Sequence, residues 1–111
     1  MIRGITFSTF DLMHAGHVLM LQECRKQCDW LMVGLQTDPT IDRKFKNKPI
    51  QTTFERWVQL TPFADEIIPY DTENDLLNIL GSLDIDVRFI GMDYFGKYIH
   101  SENICKSRNI E

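Results

Sequence analysis

Two histidines three residues apart, His14 and His17, lie in the segment Ser8-Thr9-Phe10-Asp11-Leu12-Met13-His14-Ala15-Gly16-His17, where an apolar run ends and an amphipathic one begins. If the second run is a helix, its N-terminus presents unpaired amide donors and the positive end of a dipole, a setting that attracts phosphate. The spacing puts both imidazoles on one side of the first turn. Gly16 between them takes a Cβ away from the mouth of the site and lets a phosphate approach the backbone. The two rings can then donate hydrogen bonds to one phosphoryl group. Two opposed effects act on their protonation, because a helix N-terminus lowers an imidazole pKa and a bound polyphosphate raises it. The phosphate is expected to dominate, making the rings more cationic in a complex. A zinc pair is the competing reading, and it lacks a third ligand at suitable spacing.

The elements that must position these rings follow from the hydrophobic pattern. Ile2 to Phe10 reads as a buried strand ending at the turn residue Asp11, and Gly16 to Cys28 as a helix whose Val18, Leu19, Leu21, Cys24 and Cys28 recur at helical spacing. Trp30 to Gln36 is a continuous apolar run of strand length, as expected where both faces of a parallel sheet are covered. A polar loop follows from Thr37 to Gln51, and Thr52 with Glu55 matches a capping box opening a helix through Leu60 that Pro62 stops. Ile67 and Ile68 form a short third strand, Asp75 to Leu83 a further helix, Val87 to Ile90 a fourth strand ending at Gly91, and Ile99 to Ser107 a last helix. Strands alternating with helices over 111 residues predict one three-layer α/β domain spanning residues 1–111. In such a sheet ligands bind outside the carboxyl ends of the strands, which directs attention to residues 8–17, 36–51 and 91–97.

Composition narrows the function classes. Twelve basic against sixteen acidic residues leave a formal charge of -4, which argues against a protein that grips nucleic acid through overall electrostatics. No apolar run approaches the roughly 20 residues that cross a bilayer, and no secretory signal opens the chain, so no membrane partner and a cytoplasmic location are expected. Cys24, Cys28 and Cys105 are odd in number and read as reduced, mostly buried thiols. Arg43, Lys44, Lys46 and Lys48 crowd into one loop of this acidic chain, on the expected binding edge, where they favour phosphate contact. Arg56, in the first turn of a helix behind that loop, is expected to pair with Glu55 or a neighbouring acid, unless it serves the site as the family resemblance given below implies. Asp11 is expected to fix its turn through backbone amides rather than to hold a metal.

The sequence His14-Ala15-Gly16-His17 preceded by Thr9-Phe10-Asp11 resembles the signature of the HxGH-type nucleotidyltransferases. The likeness extends through Gln36 to Thr40, Glu55-Arg56, Asp65 to Tyr70 and Ile90 to Lys97, and is strongest toward glycerol-3-phosphate cytidylyltransferases. The resemblance implies a Rossmann-like, doubly wound parallel sheet and transfer of CMP from CTP to a phosphorylated small alcohol, glycerol 3-phosphate first, with release of pyrophosphate. An adenylyltransferase of the same superfamily, or a nucleotide-binding module without turnover, is the alternative. It further implies Mg2+ carried with the nucleotide, no protein metal ligand, and a homodimer. By the same carry-over His14 and His17 hold the triphosphate, Lys44 and Lys46 touch it, Ser8, Thr9, Phe10, Asp11 and Gly16 lie against the nucleotide, Arg56 serves phosphate, and Gly91, Asp93 and Tyr94 meet cytosine or ribose. Three departures from the family stand out. Ser8 replaces a usual glycine, Pro62-Phe63-Ala64 replaces a stretch that often carries arginine, and Glu111 falls where a fifth strand and a Ser/Thr-rich phosphate loop would follow. The last departure implies a shortened form or an incomplete activity.

Overall fold

A computed structural model of the chain describes residues 1–90 and 110. Strand β1 (Arg3–Ser8) leads to helix α1 (Ala15–Lys26), β2 (Trp30–Gln36), a short 3-10 turn at Pro39–Ile41, α2 (Thr53–Leu60), β3 (Glu66–Tyr70), α3 (Glu73–Ser82) and β4 (Val87–Phe89). The four strands are parallel in the order β3-β2-β1-β4. The chain therefore winds outward from β1 in both directions, and the order reverses between β1 and β4, the edge where doubly wound sheets bind ligands. This is the expected Rossmann-like α/β architecture. The expected helix at residues 99–107 and the candidates Gly91, Asp93 and Tyr94 lie outside the described residues.

Local chemistry explains the boundaries. Thr52 and Glu55 form the expected reciprocal cap on α2, with the Thr52 amide donating to Glu55 Oε1 (2.9 Å) and the Glu55 amide to Thr52 Oγ1 (3.1 Å). An equivalent pair, Thr72 with Asp75, starts α3 two residues ahead of the sequence expectation. Asp38 caps the 3-10 turn inside the loop that the sequence left featureless. β1 stops at Ser8 rather than Phe10, because Phe10 and Leu12 take left-handed backbone at φ 51° and 49°, which no strand accommodates.

Alternation along the strands sorts the core into two layers. Leu31, Val33 and Leu35 of β2 face α1 and α2, packing with Leu21, Cys24 and Leu60, whereas Ile5 and Met32 face α3, packing with Leu76 and Leu80. Gly34 pairs with Phe7 across the β1–β2 ladder, and a Cβ on Gly34 would come within 2.2 Å of the Phe7 ring. That ring also meets Tyr70 edge to face at 5.6 Å. Cys24 is buried and its thiol is pushed up to about 11, by burial first and by Cys28 second, so it stays an inert thiol.

Among the described residues Thr6, Gln36 and Arg56 are the buried polar side chains, and Arg56 carries the charge. Arg56 of α2 is 1% exposed. Its Nη1 donates to the carbonyls of Thr9 (3.0 Å) and Gln36, its Nη2 to the Thr37 carbonyl (2.8 Å) and Thr53 Oγ1 (3.3 Å), and its Nε to the carbonyls of Gln51 and Thr52 (both 3.3 Å). The guanidinium thus ties the turns after β1 and β2 to the start of α2. Burial pulls its pKa down, and the charges of Asp11 and Asp38 oppose that pull. Glu55 is occupied by the cap, so no Glu55–Arg56 pair forms. Nor is Arg56 placed for phosphate, because its donors are spent on main-chain oxygens and the Thr53 hydroxyl.

Three substitutions test this frame. Arg56→Met should lower unfolding free energy by about 3–5 kcal/mol in urea denaturation, since it strands several buried carbonyls at once. Arg56→Lys should recover little of that loss, an ammonium being unable to span the same fork. Gly34→Ala should cost about 1–3 kcal/mol by forcing the Phe7 ring aside. A loss under about 0.5 kcal/mol in Arg56→Met would contradict the assignment.

Candidate functional site

The turn between β1 and α1 is strained and held from outside. Phe10 has a bulky side chain in the left-handed region, a conformation that costs on the order of 1–3 kcal/mol. Its ring is fully buried among Leu21, Leu31, Val33, Leu35 and Leu60, and that burial offsets the strain. The ring is therefore a core anchor, which leaves the main chain of Phe10 as the part able to lie against a nucleotide. Asp11 accepts from the amides of Ile50 and Gln51 (both 2.9 Å), while the Leu12 amide donates to Gln51 Oε1 (2.8 Å). Desolvation pushes the Asp11 carboxyl up, but the Ile50 and Gln51 amides, the Arg56 charge and the Leu12 amide together hold it below the usual value. Asp11 thus binds backbone amides as expected, but those of a segment some forty residues away rather than its own turn. Among the described residues no group of three or more His, Cys, Asp or Glu side chains is arranged to hold a metal ion.

That turn delivers the chain into α1 with His14 as its N-cap. The Gly16 amide donates to His14 Nδ1 (3.0 Å), and the His14 amide donates to His17 Nδ1 (3.2 Å). The two imidazoles form a reciprocal cap, the arrangement usually made by a hydroxyl and a carboxylate. Their ring centroids lie 4.2 Å apart, and His17 rests 5.8 Å from the Phe10 ring. With each Nδ1 accepting an amide, a neutral ring carries its proton on Nε2, so both rings present an Nε2–H donor. Burial and, less strongly, the neighbouring His14 lower the His17 pKa. A Cβ on Gly16 would sit 2.7 Å from His14 Cε1. The His14 ring stands on that side of Gly16, so a larger residue there would press on the ring and shift it.

The lysine loop is a strap fastened at both ends. At one end the Thr37 amide donates to the Tyr70 carbonyl (2.9 Å), Thr37 Oγ1 bonds Asp71, the Glu73 amide donates to Asp42, and Arg43 pairs with Glu73. At the other end Asp11 holds Ile50 and Gln51. Lys44 and Lys46 stand exposed between these anchors and form no ion pair among the described residues, whereas Lys48 lies 4.0 Å from Asp38. Asp11 thereby joins the strap to the histidine turn. Ser8 closes β1 and Thr9 follows it beside that turn, each half-buried. Gln51 belongs to the same junction and was missed, since no sequence pattern marks a side chain whose partner is 39 residues distant.

Comparisons with known proteins place the fold and the family. The family described as Cytidylyltransferase-like matches residues 5–109. The bifunctional protein HldE of Rhodospirillum rubrum is 37% identical over 93 residues, covering 82% of this chain and 19% of that protein. HldE of Campylobacter concisus is 36% identical over 104 residues, covering 91% and 22%. The chain thus spans about a fifth of the length of these curated relatives. Among solved structures, the lipopolysaccharide core biosynthesis protein from Thermoplasma volcanium superposes with a TM-score of 0.74 at 27% identity, covering 98% of this chain and 86% of that one. With nearly its whole length matched and its strand order that of a doubly wound sheet, the chain belongs to the cytidylyltransferase-like family.

Proposed function

We propose that this domain catalyses nucleotidyl transfer from a nucleoside triphosphate to a phosphorylated small sugar or polyol. A phosphate oxygen of the acceptor attacks the α-phosphorus in line, the α–β bridging bond breaks, and pyrophosphate leaves with that bond's electron pair. One observation carries the reading: two imidazoles at a helix N-terminus, each with its Nδ1 engaged and its Nε2–H unspent, beside the turn that ends β1. Donors so fixed stabilise charge on the α-phosphoryl group without reorganising during the reaction. Lys44 and Lys46 approach the β- and γ-phosphates from the strap, and Thr9 with the main chain of residues 10–12 borders the nucleotide. Arg56 contributes by holding the turns. Magnesium arrives bound to the nucleotide's own phosphates and neutralises charge there, and no carboxylate of the motif turn is assigned to it, since Asp11 spends both oxygens on amides.

CTP is the first donor to test, from the resemblance of the motifs, with ATP beside it. Glycerol 3-phosphate is the first polyol acceptor. The likeness to a protein named for lipopolysaccharide core biosynthesis favours a phosphorylated sugar as the second. The domain acts in the cytoplasm and as a homodimer in this reading, the latter checked by sedimentation equilibrium. Among the described residues no helix is long and apolar enough to cross a membrane.

Calorimetry with CTP and ATP in parallel should give binding to one of them in the presence of Mg2+, and pyrophosphate release should depend on an acceptor. Binding without release under every acceptor would favour a nucleotide-binding module. His14→Ala and His17→Ala should each slow turnover by about 100-fold or more, the size expected for losing one oriented charge stabiliser. Lys44→Ala and Lys46→Ala should raise KM for the nucleotide, with a loss that shrinks as salt rises, because both side chains are solvated. Gly16→Ala should mimic the His14 variant in turnover by displacing its ring.

A further inference from the structure

The capping geometry constrains the charge state of the two donors. Each Nδ1 faces an amide N–H, from Gly16 at 3.0 Å and from His14 at 3.2 Å. A proton on either Nδ1 would set two donors against each other, cost the cap, and release the first turn of α1. Among the described residues neither imidazole forms an ion pair with a carboxylate. The charged groups on the adjoining segments are spent elsewhere, Asp11 on the Ile50 and Gln51 amides and Arg56 on main-chain carbonyls. The rings lie against each other at 4.2 Å, and the neighbouring His14 opposes charge on His17.

Resting on the proposed transferase reading, we infer that His14 and His17 grip the triphosphate as neutral Nε2–H donors, and that acid disables the site by uncapping α1 rather than strengthening its hold on phosphate. The sequence expectation of more cationic rings in the complex is thereby reversed. The cationic charge comes from Lys44 and Lys46, and the histidines supply direction. Fixing Nδ1 in the cap also fixes the ring orientation, so helix start and phosphate grip are formed by the same two side chains. The pH sign follows from His17, whose burial lowers its folded pKa below 6.5. The stability held by its neutral ring is complete above that value and is lost as pH falls through the folded pKa.

The test is long-range nitrogen NMR on histidine-labelled protein at neutral pH, free and with saturating Mg·CTP or Mg·ATP. Both rings should keep an unprotonated Nδ1 and a protonated Nε2 in the two states, with the Nε2 resonances moving when nucleotide is added. Imidazolium signatures at both nitrogens of either ring in the complex overturn the inference. An intact tautomer with no Nε2 response to either nucleotide overturns the donor role and with it the proposed function, a result distinct from the first. Two variants separate cap from grip. Asn places an acceptor where Nδ1 stands but has nothing at Nε2, so His14→Asn should keep its Tm within about 2 °C of wild type and weaken nucleotide binding at least about 10-fold. Gln offers a donor at the reach of Nε2 without the cap, so His14→Gln should lose more Tm and less affinity than His14→Asn. Undiminished nucleotide affinity in His14→Asn overturns the inference.

Discussion

Carbonyl oxygens at the carboxyl ends of β1 and β2 run out of sheet partners at the place where the chain must leave the sheet, and a buried guanidinium takes them up. Arg56 binds the Thr9, Gln36 and Thr37 carbonyls from one direction and those of Gln51 and Thr52 from another. A charge buried this deeply is tolerable only because its donors are matched. Both loops that carry the candidate chemistry are thereby referred to one rigid point. The histidine turn and the lysine strap come from segments far apart in sequence, and Arg56 with Asp11 makes them parts of one site.

Strain and function meet in the same turn. Phe10 and Leu12 adopt backbone that bulky residues avoid, and the turn persists because it is over-determined: the Phe10 ring is sealed in the core, and Asp11 and the Leu12 amide are tied to residues 50 and 51. What the strain secures is the entry angle of α1. At that entry the two histidines cap the helix with one nitrogen and offer the other to solvent, so the motif builds its own support. Gly16 completes it by leaving room for a ring that any side chain would displace.

Much of the fold was legible from pattern alone. The apolar run at 30–36, the amphipathic repeat after His17 and the Thr52–Glu55 cap each depend on neighbours within one or two turns, and each stands where the sequence indicated. Errors fell at ends. The terminus of β1 was misread because nothing in the letters Thr-Phe-Asp announces a left-handed phenylalanine, and α3 was started late because the Thr72 cap was overlooked. The inward placement of the Phe10 ring and the choice between the two roles open to Arg56 were hidden for a related reason. An aromatic and an arginine beside a phosphate motif both suggest ligand contact, and only packing reveals that the Phe10 ring and the Arg56 guanidinium are turned inward.

The residue types and spacing of the HAGH segment, the alternation of strand and helix, and the cluster of lysines were set by the sequence itself, since periodicity and capping are local properties. Tertiary structure alone decided which atoms remain free to act. Whether a histidine nitrogen is capped, whether a guanidinium is spent, and whether Asp11 reaches residue 50 all depend on segments the chain brings together only when the sheet closes over its core.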